Sequence, residues 1–224
     1  MSKADEIRQD KRYPRWEEKA HKKLIPALDS LYSDDEAVQK KAIKVLLSQA
    51  TQELGWLCLP VREWFTDPRN RQRCFNRLSV NMSSKMLSDL LRCFHFVCER
   101  MIDHNMWGDM ILSDADRHYK LELHKLALQY MDHASTDVRA DAAYILAMAG
   151  DMAAWDMYVK ILHKKASYCG WMRMAYARYG RQSVTETQKQ QLGDAAACVL
   201  DKSRNPSVRR EANLILTLLK DEKE

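Results

Sequence analysis

The pattern Val-x-x-x-Ala-x-x-[Val/Ile]-Leu occurs three times in this chain, at Val38/Ala42/Val45/Leu46, Val138/Ala142/Ile145/Leu146 and Val208/Ala212/Ile215/Leu216. It restricts the fold more than any other feature, because repeated helical units that cannot close a core alone must stack on their neighbours. The four marked positions share one stripe of a 3.6-residue helix and are expected to face inward. The small alanine lets a neighbouring helix approach closely. The residues between (Gln39-Lys40-Lys41, Arg139-Ala140-Asp141 and Arg209-Arg210-Glu211) are mostly charged and are expected on the solvent face. Each copy follows polar residues suited to a helix start: Ser33-Asp34-Asp35, Ser135-Thr136-Asp137 and Asn205-Pro206-Ser207, with Pro206 placed for the first turn. An apolar run precedes each start, so the unit reads as helix, tight turn, helix.

These residues carry a resemblance. Leu128…Met131…Asp137-Val138-Arg139-Ala140-Asp141-Ala142-Ala143…Leu146…Gly150-Asp151 resembles the second-helix signature of HEAT repeats. Pro206-Ser207-Val208-Arg209-Arg210-Glu211-Ala212…Leu216 is similar to it as well. In the first copy Gln39 stands where that family has arginine, and the three copies are unequally spaced. The resemblance implies an all-α, HEAT-like α-solenoid, and the chain is long enough for about five stacked helix pairs.

Composition agrees with an all-helical chain. Among 224 residues there are only 6 glycines and 5 prolines, and no sustained alternation of β-branched residues argues for strands. No apolar run approaches the ~20 residues needed to cross a bilayer. The polar start Met1 to Arg15 lacks a signal-peptide core, so a cytoplasmic protein is expected. The 6 cysteines are scattered, which fits reduced thiols better than a disulfide framework.

Along the chain, residues 1–13 form a charged and flexible lead-in, 14–220 a single helical-repeat domain and 221–224 a charged tail. Helices are expected near 16–32, 35–52, 84–101, 152–166, 168–180, 184–201 and 206–220. A less repeat-like block runs from Leu54 to Leu78, interrupted at Asp67-Pro68, where the residue before proline is pushed out of the helical region. Ser113-x-x-Asp116 resembles a capping box opening the helix before the second copy of the pattern.

Two groups of residues suit recognition. The helix from Tyr168 places Tyr168, Trp171 and Tyr176 on one broad face bordered by Arg173, Arg178 and Arg181. Tryptophan, tyrosine and arginine dominate interface hot spots. The alternative is core packing, with the arginines as a solvated rim. The second group, Arg69, Arg71 and Arg73 with Arg62 and Arg77, suits an acidic partner or phosphate, or else is a solvated loop. The net charge of +5 and pI near 8.8 are mild for a dedicated nucleic-acid binder.

The chain is also similar, in two short stretches, to HEAT-like DNA alkylation-repair glycosylases. Asn105-Met106-Trp107-Gly108-Asp109 resembles their segment of tryptophan plus aspartate, and Trp171-Met172-Arg173-Met174-Ala175 their Trp-x-Arg-x-Ala helix start. That likeness implies an alternative nucleic-acid site at Trp107, Asp109 and Arg139; otherwise Trp107 is a packing residue in a loop. A metal site is not expected, since Cys93, His95 and Cys98 diverge around a helix and His118 with Glu122 lacks a third ligand. No cofactor fingerprint or nucleophile elbow is present. The expected function is therefore binding, with no catalysis: a protein-binding adaptor, assembly subunit or inhibitor of the immunity type, with a nucleic-acid-binding protein as the alternative.

Overall fold

The computed structural model describes residues 3–51, 55–79, 82–102, 113–151, 153–177 and 184–221. Among these there are twelve α-helices and no strand. They are α1 (Lys3–Arg8), α2 (Tyr13–Ser30), α3 (Glu36–Ala50), α4 (Gly55–Thr66), α5 (Pro68–Asn76), α6 (Ser84–Ile102), α7 (Asp114–Leu128), α8 (Thr136–Met148), α9 (Ala153–Lys164), α10 (Cys169–Ala175), α11 (Glu186–Lys202) and α12 (Pro206–Lys220). The span expected as one domain divides into two compact units, Met1–Leu126 and Ala127–Glu224.

Local chemistry explains most of the boundaries. The Asp67 carboxylate accepts from the Arg69 and Asn70 amides at 3.0 and 3.1 Å, so Asp-Pro is the start of α5 rather than a mere interruption. At the start of α7, the Ser113 amide donates to Asp116 at 3.0 Å and the Asp116 amide donates back to the Ser113 hydroxyl at 3.2 Å. That is the reciprocal capping box the sequence implies. Thr185 and Gln188 form a second one at α11. α8 ends at Gly150, whose φ of +80° is the left-handed conformation glycine adopts without penalty. The Asp151 amide then reaches the Leu146 carbonyl at 3.0 Å, closing the helix end.

In the first unit, α3 lies between α2 and α6, and α4 packs on α2, α5 and α6. An aromatic chain runs through its core: Trp64 on Phe65, Phe65 on Phe94, and Phe94 and Tyr119 on Phe75, with ring centroids 5.0 to 6.3 Å apart. The segment expected as a charged lead-in carries α1, whose Ala4 and Ile7 bury against Tyr13 and Leu59. Glu63 of α4 holds that segment by accepting from Arg8 Nε at 2.8 Å and from the Tyr13 hydroxyl.

In the second unit, α8 packs on α9 and α10, α10 on α12, α12 on α11, and α11 on α9. Alternate helices are therefore neighbours, with α8, α10 and α12 in one series and α9 and α11 in another. Trp155, Tyr158 and Tyr176 fill the centre, each at most 1% exposed.

The three copies of the sequence pattern are buried unequally. In α8, Val138, Ala142, Ile145 and Leu146 are all at most 4% exposed, each large side chain contributing roughly 1.5–3 kcal/mol by leaving water. Ala140 and Asp141, expected on the solvent face, are buried too, because α8 is covered on two sides by α9 and α10. In α3, by contrast, Ala42 and Leu46 are buried while Val38 is half-buried and Val45 is 37% exposed. In α12, Val208 and Leu216 are half-buried. The inward stripe inferred from periodicity holds fully only in α8.

The turns are alike in atomic detail. Ser33, His133 and Ser203 occupy equivalent places, and the side chain of each accepts from the amide two residues on, at Asp35, Ser135 and Asn205. The backbone carbonyl of each also accepts from a side chain six residues on: Gln39 Nε2 at 2.5 Å, an Arg139 Nη1, and Arg209 Nη1 at 3.3 Å. Gln39 thus does in the first copy what arginine does in the other two.

Candidate interaction surface

The helix pair α2/α3 leaves an open groove of about 590 Å³ in the first unit. Its floor is formed by Pro26 and Ala27 of α2 and by Val38, Ala42 and Val45 of α3. Val38, Ala42 and Val45 recur at helical spacing, so α3 turns one apolar stripe toward the cleft. Lys23, Lys41 and Lys44 stand around it, all exposed, and no acidic residue lines it among the described residues. None of the three is ion-paired among the described residues, whereas Lys22 and Lys40 beside them pair with Glu18 at 2.7 Å and Glu36 at 2.9 Å. The result is an apolar recess with an unneutralised positive rim. An apolar recess with such a rim is a candidate interaction site.

The aromatic helix expected as a partner surface is largely interior. Tyr168 is 7% exposed and Tyr176 fully buried, its ring set edge-on against Trp155 at 6.0 Å. Tyr168 donates its hydroxyl to Asp137 at 2.8 Å. Trp171 is half-buried and packs against Tyr144 and Tyr168 with centroids 4.9 and 5.8 Å away. Arg173 is ion-paired to Glu211 of α12. What this helix offers outward is therefore the edge of Trp171 and the partly exposed Arg173. Arg178 and Arg181 lie outside the described residues.

The arginines expected as a basic loop sit on a helix, α5, which turns them in different directions. Arg71 is held by Glu122 at 3.0 Å, with its side chain 12% exposed. Arg73 pairs with Asp29 at 2.8 Å and lies over the Tyr32 ring at 5.5 Å, with Arg77 over the same ring at 5.2 Å. Arg62 is buried against Asp116 at 3.4 Å. Arg69 remains exposed. The cluster is thus tied into the first unit by contacts fifty or so residues apart, which local spacing could not reveal.

Of the alternative nucleic-acid set, Trp107 and Asp109 lie outside the described residues. Arg139 is engaged by the turn carbonyls of His133 and Ala134 and by the Thr136 hydroxyl. Among the described residues no three of His, Cys, Asp and Glu converge on a point where a metal ion could sit. His118 Nδ1 faces the Asp114 carbonyl at 2.8 Å, and Glu122 is taken by Arg71. Cys74, Cys93, Cys98, Cys169 and Cys198 are free thiols. Burial pushes the Cys74 and Cys169 thiols up to about 12 and that of Cys93 upward as well, so these three stay protonated and unreactive at neutral pH.

Sequence reasoning missed the α2/α3 groove because Val38 and Val45 read as core. The signal available was the interleaving of Lys41 and Lys44 with those valines on α3, opposite Lys23 on α2. No family model matches this chain, and no curated protein matches it. It is similar, at 14% identity and a TM-score of 0.44, to a solved structure described as that of an engineered protein, over 89% of this chain and 97% of that one.

Proposed function

We propose that this chain is a HEAT-like α-solenoid that works by binding another protein, as a cytoplasmic adaptor, assembly subunit or inhibitor of the immunity type, and that it is not an enzyme. The observation that carries the reading is the α2/α3 groove, where the half-buried Val38 and the 37% exposed Val45 stand between lysines that have no ion pair among the described residues. Water-exposed apolar surface of this kind is a standing cost that a partner removes. The three equivalent turns and the packing of alternate helices support the repeat architecture, and stacked helix pairs serve recognition without a catalytic group. The five cysteines described are free thiols, which fits a reducing compartment. The outward part of α10, Trp171 and Arg173, with Arg69 on α5, makes up the secondary contact set.

The test is affinity purification of the wild-type chain and of Val45→Asp from the native cell at moderate salt, each with and without nuclease, followed by mass spectrometry. A stoichiometric, nuclease-resistant protein that is absent from the Val45→Asp eluate is the expected result. An eluate that vanishes with nuclease overturns the reading in favour of nucleic acid.

A further inference from the structure

Resting on the protein-binding reading above, we infer that the α2/α3 groove receives an acidic amphipathic helix of the partner, its apolar face down and its carboxylates against the lysine rim. Three observations select that occupant. The first is charge. Among the described residues, Lys23, Lys41 and Lys44 surround the cleft with no carboxylate in its lining and no ion pair of their own, while the flanking Lys22 and Lys40 are neutralised within their helices. Such a rim concentrates acidic ligands and repels basic ones. Lysine stems also extend the apolar walls while their ammonium groups stay in water.

The second is shape. Both walls are helices, and the floor positions Val38, Ala42 and Val45 repeat with the helical period. A partner helix laid between them meets the floor with anchors at i, i+3 or i+4, and i+7. A peptide that binds by adding a strand would need an unpaired strand edge, and two helices offer none. The third is size: about 590 Å³ holds several side chains of one helix face, within the range of sites that enclose most of a ligand. Two competing occupants lack support. No aromatic residue among those described lines the groove to stack bases. A lipid surface engages a protruding apolar face, whereas this one is recessed.

The experiment is a selection of displayed random peptides on the full chain, counter-selected on Val45→Asp, with affinities of the synthesised winners measured by fluorescence anisotropy at low and high salt. Winners are expected to be rich in Asp and Glu, with apolar residues at helical spacing, and to gain helicity on binding. Lys41→Glu with Lys44→Glu should weaken them on the order of tenfold and flatten the salt dependence. Val45→Asp should weaken them on the order of a hundredfold. All three positions are exposed, so circular dichroism of the variants should match wild type.

Winners that are basic or uncharged, or no enrichment over Val45→Asp, would overturn the inference. So would binding of anionic lipid vesicles or a single-stranded oligonucleotide that Val45→Asp abolishes. If a protein captured from cells is not displaced by the winning peptide, this inference fails while the protein-binding reading stands. If the peptides bind as described but no cellular protein is captured, the reading fails and the groove chemistry stands.

Discussion

The guanidinium of Arg139 donates to the backbone carbonyl of His133, six residues back across the turn that enters α8. It also reaches the Ala134 carbonyl at 3.0 Å and the Thr136 hydroxyl at 3.1 Å. A charged donor so placed fastens the entry turn to the helix it starts. Arg139→Ala is expected to cost about 1.5–3 kcal/mol in a denaturant titration, the range for hydrogen bonds to charged groups. Gln39→Ala, which removes the uncharged version, is expected to cost about 0.5–1.5 kcal/mol. A loss of oligonucleotide binding by Arg139→Ala with unchanged stability would assign this residue to a ligand instead.

Asp116 and Arg62 form a buried pair, with side chains 2% and 9% exposed. Asp116→Ala strands a cation away from water, so it should destabilise by about 3–5 kcal/mol. Adding Arg62→Met should recover a large part of that loss, measured as a coupling in a double-mutant cycle. If the two losses simply add, the ion pair is not what holds α4 to α7.

The unequal burial of the repeated pattern has a measurable counterpart. Ile145 is 4% exposed and Val45 37%. Ile145→Ala is expected to cost about 2–5 kcal/mol through lost packing and the cavity left behind. Val45→Ala should cost under about 1 kcal/mol, as for an exposed site. Equal penalties in urea unfolding would mean that α3 is covered by something not described above.

Burial holds the Cys74 and Cys169 thiols at about 12 against an ordinary value of 9.0. Both forms of the chain keep these thiols protonated below pH 9, so their contribution to stability is intact there. As pH rises from about 9 to about 12 the unfolded chain ionises first, and stability falls. Cys74→Ala should reduce that alkaline slope while leaving the neutral range flat. At pH 8, a thiol reagent should modify the half-buried Cys98 and Cys198 before Cys74, Cys93 or Cys169.

Arg173 and Glu211 join α10 to α12. Arg173→Glu alone should lower the thermal midpoint by a few degrees, since like charges then face each other in a partly buried site. Pairing it with Glu211→Arg should restore the midpoint. A partner lost with the single change and regained with the swap would therefore report on folding of this unit, and one lost with both would report on Arg173 itself.

Periodicity and capping chemistry located the helices well. Glu36–Ala50, Ser84–Ile102 and Pro206–Lys220 fall within two residues of the expected spans, because Asp35, Asn205 and Pro206 act locally. Burial was legible in full only for α8. The same letters are interior in α8 and open in α3, a difference set by which helices lie alongside and not by the residues themselves. The ion pairs of the α5 arginines were hidden for a related reason: their partners Glu122 and Asp29 are distant in sequence. The stretch from Tyr168 to Tyr176 looked like a surface because tyrosine, tryptophan and arginine favour interfaces, whereas Tyr168 and Tyr176 are buried.

The turn fastening uses a main-chain oxygen as its acceptor, and every amino acid carries one. Ser33, His133 and Ser203 have little in common chemically beyond a short polar side chain or ring nitrogen, yet the same bond forms at each. Selection on such a turn acts on a single donor position and leaves the rest of the loop free to drift. Helix pairs joined this way can diverge until they share few letters while remaining interchangeable parts, so that transplanting residues 133–139 in place of 33–39 should yield a folded chain.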